Sequence, residues 1–164
     1  MTVTAVRKDA QRLTLIVEAE FDASVERIWQ LWADPRKLER WWGPPSYPAT
    51  FTRHDLAPGG RVEYHMTGPA GEQPRGYWRI LEVEPPRRIL LRDACGNADG
   101  TPNPENTIRV EIEEVASGRT RMSIETVFPS TAAMEQALAN GTDEGLSQAV
   151  SQIEAILAEE TIRR

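Results

Sequence analysis

The sequence is poor in cysteine, histidine and lysine. Cys95 is the only cysteine in 164 residues, so no internal disulfide can form, and no metal-ligating partner stands at a useful spacing from it. The two histidines, His54 and His65, fall outside any HxxxH pattern, so no metal site is expected. Lys8 and Lys37 are the only lysines and the arginines are scattered. A nucleic-acid binder shows a basic stripe, and this chain has none. The formal net charge of −6 is a solubility feature that argues against polyanionic partners. No apolar run approaches the roughly 20 residues of a membrane span. Met1 to Ala10 lacks the apolar core of a secretion signal. A cytoplasmic protein without membrane insertion is the expectation. There is no Gly-x-Ser-x-Gly elbow, and Gly59-Gly60 and Gly96 form no phosphate-cradling loop. No catalytic residue is assigned, and no cofactor is expected.

Tryptophan, by contrast, is concentrated. Trp29 and Trp32 lie one helical turn apart, and Trp41-Trp42 precede Gly43-Pro44-Pro45. A large aromatic buries roughly 150–250 Å², which places such residues in a core or in the wall of a cavity. Trp41 and Trp42 are adjacent, so about 100° separates them around a helix. At least one of the two is expected to face away from the tightest core.

Periodicity gives the element order. Leu13, Leu15, Val17, Ala19 and Phe21 alternate with polar residues, which predicts a half-buried strand over 12–21. Ser24 is placed to cap a helix in which Val25, Ile28, Trp29 and Trp32 form one apolar stripe. Asp34-Pro35 starts a second short helix carrying Leu38, Trp41 and Trp42, which Gly43-Pro44-Pro45 stops. From residue 46 the period changes to two. Strands are expected over 47–56, 61–67, 76–84, 89–94, and in the runs around Ile108–Ile112 and Met122–Phe128. Residues 76–84 are apolar on both faces. Ser130 opens a terminal helix to about Ala158, interrupted by Gly141 and Gly145. The whole reads as one α+β domain over 1–164, with the terminal helix covering an antiparallel sheet.

These residues resemble a known family. The segments Phe21-x-Ala23, Val25-x-x-Ile28-Trp29 and Asp34-Pro35-x-x-Leu38-x-x-Trp41-Trp42-Gly43-Pro44 are similar to those of the SRPBCC (START/Bet v 1-like) superfamily. Pro58-Gly59-Gly60-Arg61, Gly76 through Glu84-Pro85-Pro86-Arg87, and Glu144-Gly145-Leu146 match its bacterial branch, which is related to the C-terminal domain of the activator of Hsp90 ATPase. The likeness runs from about residue 12 to 158. It implies a helix-grip fold, in which a curved antiparallel sheet wraps the C-terminal helix around an apolar pocket.

If that pocket exists, its candidate lining is Trp32, Trp41, Trp42, Tyr64, Met66, Trp78, Leu91, Ile112, Met122 and Ile124, with Met134, Leu138 and Leu146 from the helix. A filled core accounts for the same residues equally well. Arg79 and Asp93 are the charged positions that a concave face would bring to the pocket, and the 96–106 loop is a candidate lid. The leading functional expectation is binding of a small hydrophobic or amphipathic molecule. The alternatives are an Hsp90-linked interaction module and a cyclase- or hydrolase-type enzyme using the same pocket.

Overall fold

A computed structural model describes residues 3–95 and 104–162. Eight strands form one antiparallel sheet: β1 (Val3–Asp9), β2 (Thr14–Phe21), β3 (Ala49–His54), β4 (Arg61–Met66), β5 (Arg75–Glu84), β6 (Arg88–Cys95), β7 (Asn106–Ala116) and β8 (Arg119–Val127). Their spatial order is β1-β2-β8-β7-β6-β5-β4-β3. Helices α1 (Val25–Ala33) and α2 (Pro35–Leu38) follow β2, and α3 (Thr131–Ala139), α4 (Thr142–Ser151) and α5 (Ile153–Ile162) close the chain. This is the expected α+β helix-grip arrangement.

The expected caps are in place. Ser24 accepts a hydrogen bond from the Arg27 amide, Asp34 from the Arg36 amide, and Ser130 from the Ala133 amide. Each satisfies an amide that the first helical turn leaves unpaired. Beyond α2, the amides of Trp41 and Trp42 both donate to Leu38 O, so the chain keeps turning as far as Trp42.

Three features depart from the sequence reading. First, β1 was not expected. It pairs with β2 from Val3↔Ala19 to Asp9↔Thr14, and most of its side chains are exposed. Hydrogen bonding holds it rather than burial, so no apolar alternation marks it. Second, the register of β5 on β6 shifts between Ile80 and Glu82. Trp78 and Ile80 are buried, and past the irregularity Val83 packs against the core from the opposite parity. A bulge re-aims side chains in this way, which explains the two apolar faces of 76–84. Third, the terminal helix is not continuous from Thr131. Gly141 takes φ +78°, a left-handed conformation that ends α3 and opens α4. Only Gln152, with helical angles, separates α4 from α5.

The main core lies between the sheet and α1, α4 and α5, with Ile28, Leu31, Trp32, Val150 and Ile153 fully buried. Ion pairs tie the helices together. Glu160 of α5 meets Arg27 at 3.3 Å and Lys37 at 2.8 Å. A second, smaller cluster joins Leu15, Phe128 and Met134, with Leu13 and Leu138 packed against it. Among the described residues no helix is long and apolar enough to cross a membrane.

Candidate functional site

Near the junction of α3 and α4 the sheet and the helices do not meet, and a pocket of about 330 Å³ lies between them. Its sheet side is Tyr64 and Met66 of β4, Asp93 of β6, Asn106 and Ile108 of β7, and Thr126 of β8. One wall is the loop Trp42, Gly43, Pro44 and Tyr47. The other is Asn140 to Thr142 with Gly145, Leu146 and Ala149. Ligand pockets run about 300–1,000 Å³, so this one suits a small molecule.

Glycines shape the walls. A Cβ at Gly145 would find only Pro44 Cγ, at 4.0 Å, so the space beside it is open. Gly43 has φ +99°, and a Cβ there would lie 2.4 Å from Tyr47 O. Only glycine allows the loop to fold this tightly. Gln152 secures the same loop from the helix side, donating to Gly43 O at 2.8 Å and Trp41 O at 3.3 Å.

Behind the pocket stands a cluster of aromatic rings. Trp42 is edge-on to Trp78 with centroids 5.0 Å apart, and 6.4 Å from Tyr64. Trp32 packs on Trp41 at 4.8 Å, and Phe51 on Tyr64 at 5.1 Å. The rings fix one another, so the pocket wall is rigid on this side. The Trp42 indole N–H is buried without an acceptor among the described residues.

The charged feature of the pocket is Asp93. The Tyr64 hydroxyl donates to Asp93 Oδ1 at 3.1 Å. Asp93 retains some exposure because it borders the pocket, yet protein closely surrounds its carboxylate. Burial pushes its carboxyl up to about 6, against the lowering pull of the Tyr64 hydroxyl and the Trp78 indole. Trp78 faces Asp93 in the β5–β6 register, and because its buried N–H makes no hydrogen bond among the described residues, its pull on the carboxylate is only that of a nearby dipole. The Tyr47 hydroxyl donates to Glu72 at 2.8 Å, which raises the phenol's pKa, while the Glu72 carboxyl is held below its usual range first by its own backbone amide and then by Tyr47.

Gly76 determines how Tyr64 lies. The two are paired across β4 and β5, and a Cβ at residue 76 would sit 2.4 Å from Tyr64 Cζ and 2.5 Å from its hydroxyl. The phenol therefore crosses the glycine to reach Asp93. Gly76→Ala is expected to displace the ring, break the bond to Asp93 and cost about 1–3 kcal/mol, the usual penalty for overpacking. Urea unfolding gives the cost, and titration of Asp93 by NMR should show its pKa rising further. An unchanged titration would contradict this account of the glycine.

The profile of the family described as Activator of Hsp90 ATPase homolog 1-like protein matches residues 22–158. The chain belongs to that family. Its members fall within the SRPBCC superfamily. Among solved structures it is similar to protein Ms6760 from Mycobacterium smegmatis, at 46% identity over 96% of this chain and 99% of the other, with a TM-score of 0.87. A protein from Arthrobacter aurescens is 41% identical over 96% and 93% of the two chains, with a TM-score of 0.92. The AHSA1 protein from Silicibacter pomeroyi, 22% identical over 90% and 99% with a TM-score of 0.75, shares the fold. No curated protein matches the chain.

In this family member the pocket gathers Trp42, Tyr64, Met66 and Leu146 from the candidate lining. Trp32, Trp41, Trp78, Leu91, Ile112, Met122 and Ile124 lie elsewhere, each 2% exposed or less within the packed core. Met134 and Leu138 lie in the smaller cluster, because the turn at Gly141 carries α3 toward Leu15 and Phe128. Arg79 points outward, where it makes a two-pronged ion pair with Glu105 at 2.7 Å. Asp93 points inward, as its shared parity with Ile89 and Leu91 had allowed. Ile108 and Thr126 share the inner parity of their strands and were detectable on that ground. Pro44, Tyr47 and Asn140 sit on irregular backbone with no periodicity to reveal them. Residues 96–103 of the candidate lid lie outside the described residues. Among the described residues no group of three or more His, Cys, Asp or Glu could hold a metal ion.

Proposed function

We propose that the chain binds a small apolar or amphipathic molecule between the sheet and the C-terminal helices. The observation that carries this reading is the hollow of about 330 Å³ opposite Gly145, walled by Trp42, Met66, Ile108 and Leu146. A core designed only for stability would fill it, since interiors are packed to crystal-like density. The family's SRPBCC fold supports the same reading. The alternative readings are an Hsp90-linked interaction module, from the resemblance, and a cyclase- or hydrolase-type enzyme using the same pocket. Asp93 is the one carboxylate among the described lining residues, and such chemistry would rest on it.

The test is a thermal-shift screen of lipids, aromatics and polyketide-like compounds on the native chain and on Gly145→Leu. A compound at 100 times its Kd stabilises the native chain by about 2.7 kcal/mol. The leucine occupies the open space beside residue 145 and removes a helical glycine, itself worth about 1 kcal/mol. The variant is expected to fold and to lose the ligand-induced shift. A compound that stabilises both proteins equally binds somewhere else, and that result would overturn the proposal.

A further inference from the structure

Charge within the pocket narrows what it can hold. Among the described residues, no lysine, arginine or histidine lines it. Its other polar groups, from Tyr47, Tyr64, Asn106, Thr126, Asn140 and Thr142, are neutral. Among the described residues Asp93 makes no ion pair, and the Tyr64 hydroxyl donates to its Oδ1. The outward turn of Arg79 toward Glu105 removes the cation that could have neutralised this face from within. An apolar pocket with a lone carboxylate repels a carboxylate-bearing guest. It welcomes a donor, above all a positively charged one.

We propose that the pocket selects amphipathic molecules bearing a protonated amine, whose N–H donates to Asp93 while the apolar body lies against Trp42, Met66, Ile108 and Leu146. Tyr64 holds Oδ1 and so fixes the plane of the carboxylate. This inference rests on the pocket being a binding site and adds the polarity of the guest.

The experiment compares matched amines, alcohols and carboxylates, each on a phenyl and a naphthyl body. Affinities are measured by calorimetry above neutral pH for the native chain and for Asp93→Asn. A hydrogen bond to a charged group corresponds to about a tenfold to hundredfold gain. The amine is therefore expected to bind the native chain tighter than the alcohol by about that factor, with the carboxylate weakest. Asp93→Asn should bring amine and alcohol to within about threefold, while the alcohol's affinity barely changes. Equal affinities for amine, alcohol and carboxylate would overturn the inference and leave the pocket as a binding site. An amine preference that survives in Asp93→Asn would also overturn it. Failure of all six compounds to bind would overturn both the inference and the reading beneath it.

Discussion

Trp32→Ala is expected to lose about 3–5 kcal/mol of folding stability, the range for truncating a fully buried tryptophan. Trp32 has no exposed surface. Its ring contacts Trp41 at 4.8 Å, Trp42 at 5.8 Å and Trp78 at 5.9 Å, so the vacancy opens at the centre of the aromatic cluster. The indole N–H also donates to Met122 Sδ at 3.3 Å, which ties α1 to β8. Neighbouring rings are rigid and packed on several sides, so they cannot collapse into the space. Typical domains are stable by only 5–15 kcal/mol, and the variant should therefore lose a large share of its margin. The measurement is the urea midpoint with the slope checked for constancy. A loss below about 1 kcal/mol would contradict the packing described. Because Trp42 leans on Trp32, a weakened pocket should accompany the weakened fold.

Asp93→Asn is expected to act in the opposite direction, and only above mildly acidic pH. The carboxyl titrates near the ordinary 3.8 when unfolded and at about 6 when folded. The folded chain therefore holds this proton more tightly. That preference is fully present below about pH 4 and is lost as pH rises through about 6. Above neutrality the native chain carries an ionised carboxylate in a costly setting. The shift corresponds to about 3 kcal/mol as an upper bound. Asparagine keeps the shape and can still accept from Tyr64. The variant should match the native chain near pH 4 and exceed it by about 2–3 kcal/mol above pH 7. Glu20, Glu72, Glu105, Asp143 and Glu160 have lowered pKa values and favour folding as pH rises. They are common to both proteins, so the difference between the two curves isolates Asp93. Parallel curves would contradict the burial assigned to it.

Much of the architecture was legible because local chemistry and global packing agree here. Ser24, Asp34-Pro35 and Ser130 are preferred cap types standing just before a helical apolar stripe, and the alternation in β2, β7 and β8 directly encodes which face is wet. The pocket was less legible. Whether Trp41 or Trp42 faces it depends on a few tens of degrees at the end of a helical turn, which spacing alone does not set. Met134 and Leu138 share a helical face with Leu146 only if the helix is straight. The left-handed angle at Gly141 breaks that assumption. Asp93 shares the parity of Ile89 and Leu91, but whether that face is concave is not set by spacing, and its depth depends on Trp78 and Tyr64 arriving from β5 and β4. Strand β1 escaped notice because an edge strand with few buried side chains leaves no hydrophobic period.

The sheet remains open at both rims, since β1 and β3 each pair on one side only. An unpaired strand is a template for adding a strand from another molecule. Here each rim is spoiled twice. The pairing of β1 slips between Val3 and Ala5, and that of β3 slips between Phe51 and Arg53. Exposed charges also line them, Arg7, Lys8 and Asp9 on one side and Arg53 on the other. A second molecule approaching in register would meet a kinked backbone and would have to bury those charges. On the β3 rim, Arg36 also donates to Phe51 O at 2.8 Å and Glu39 accepts from the Phe51 amide at 3.2 Å, so neither rim offers a second molecule a continuous free strand.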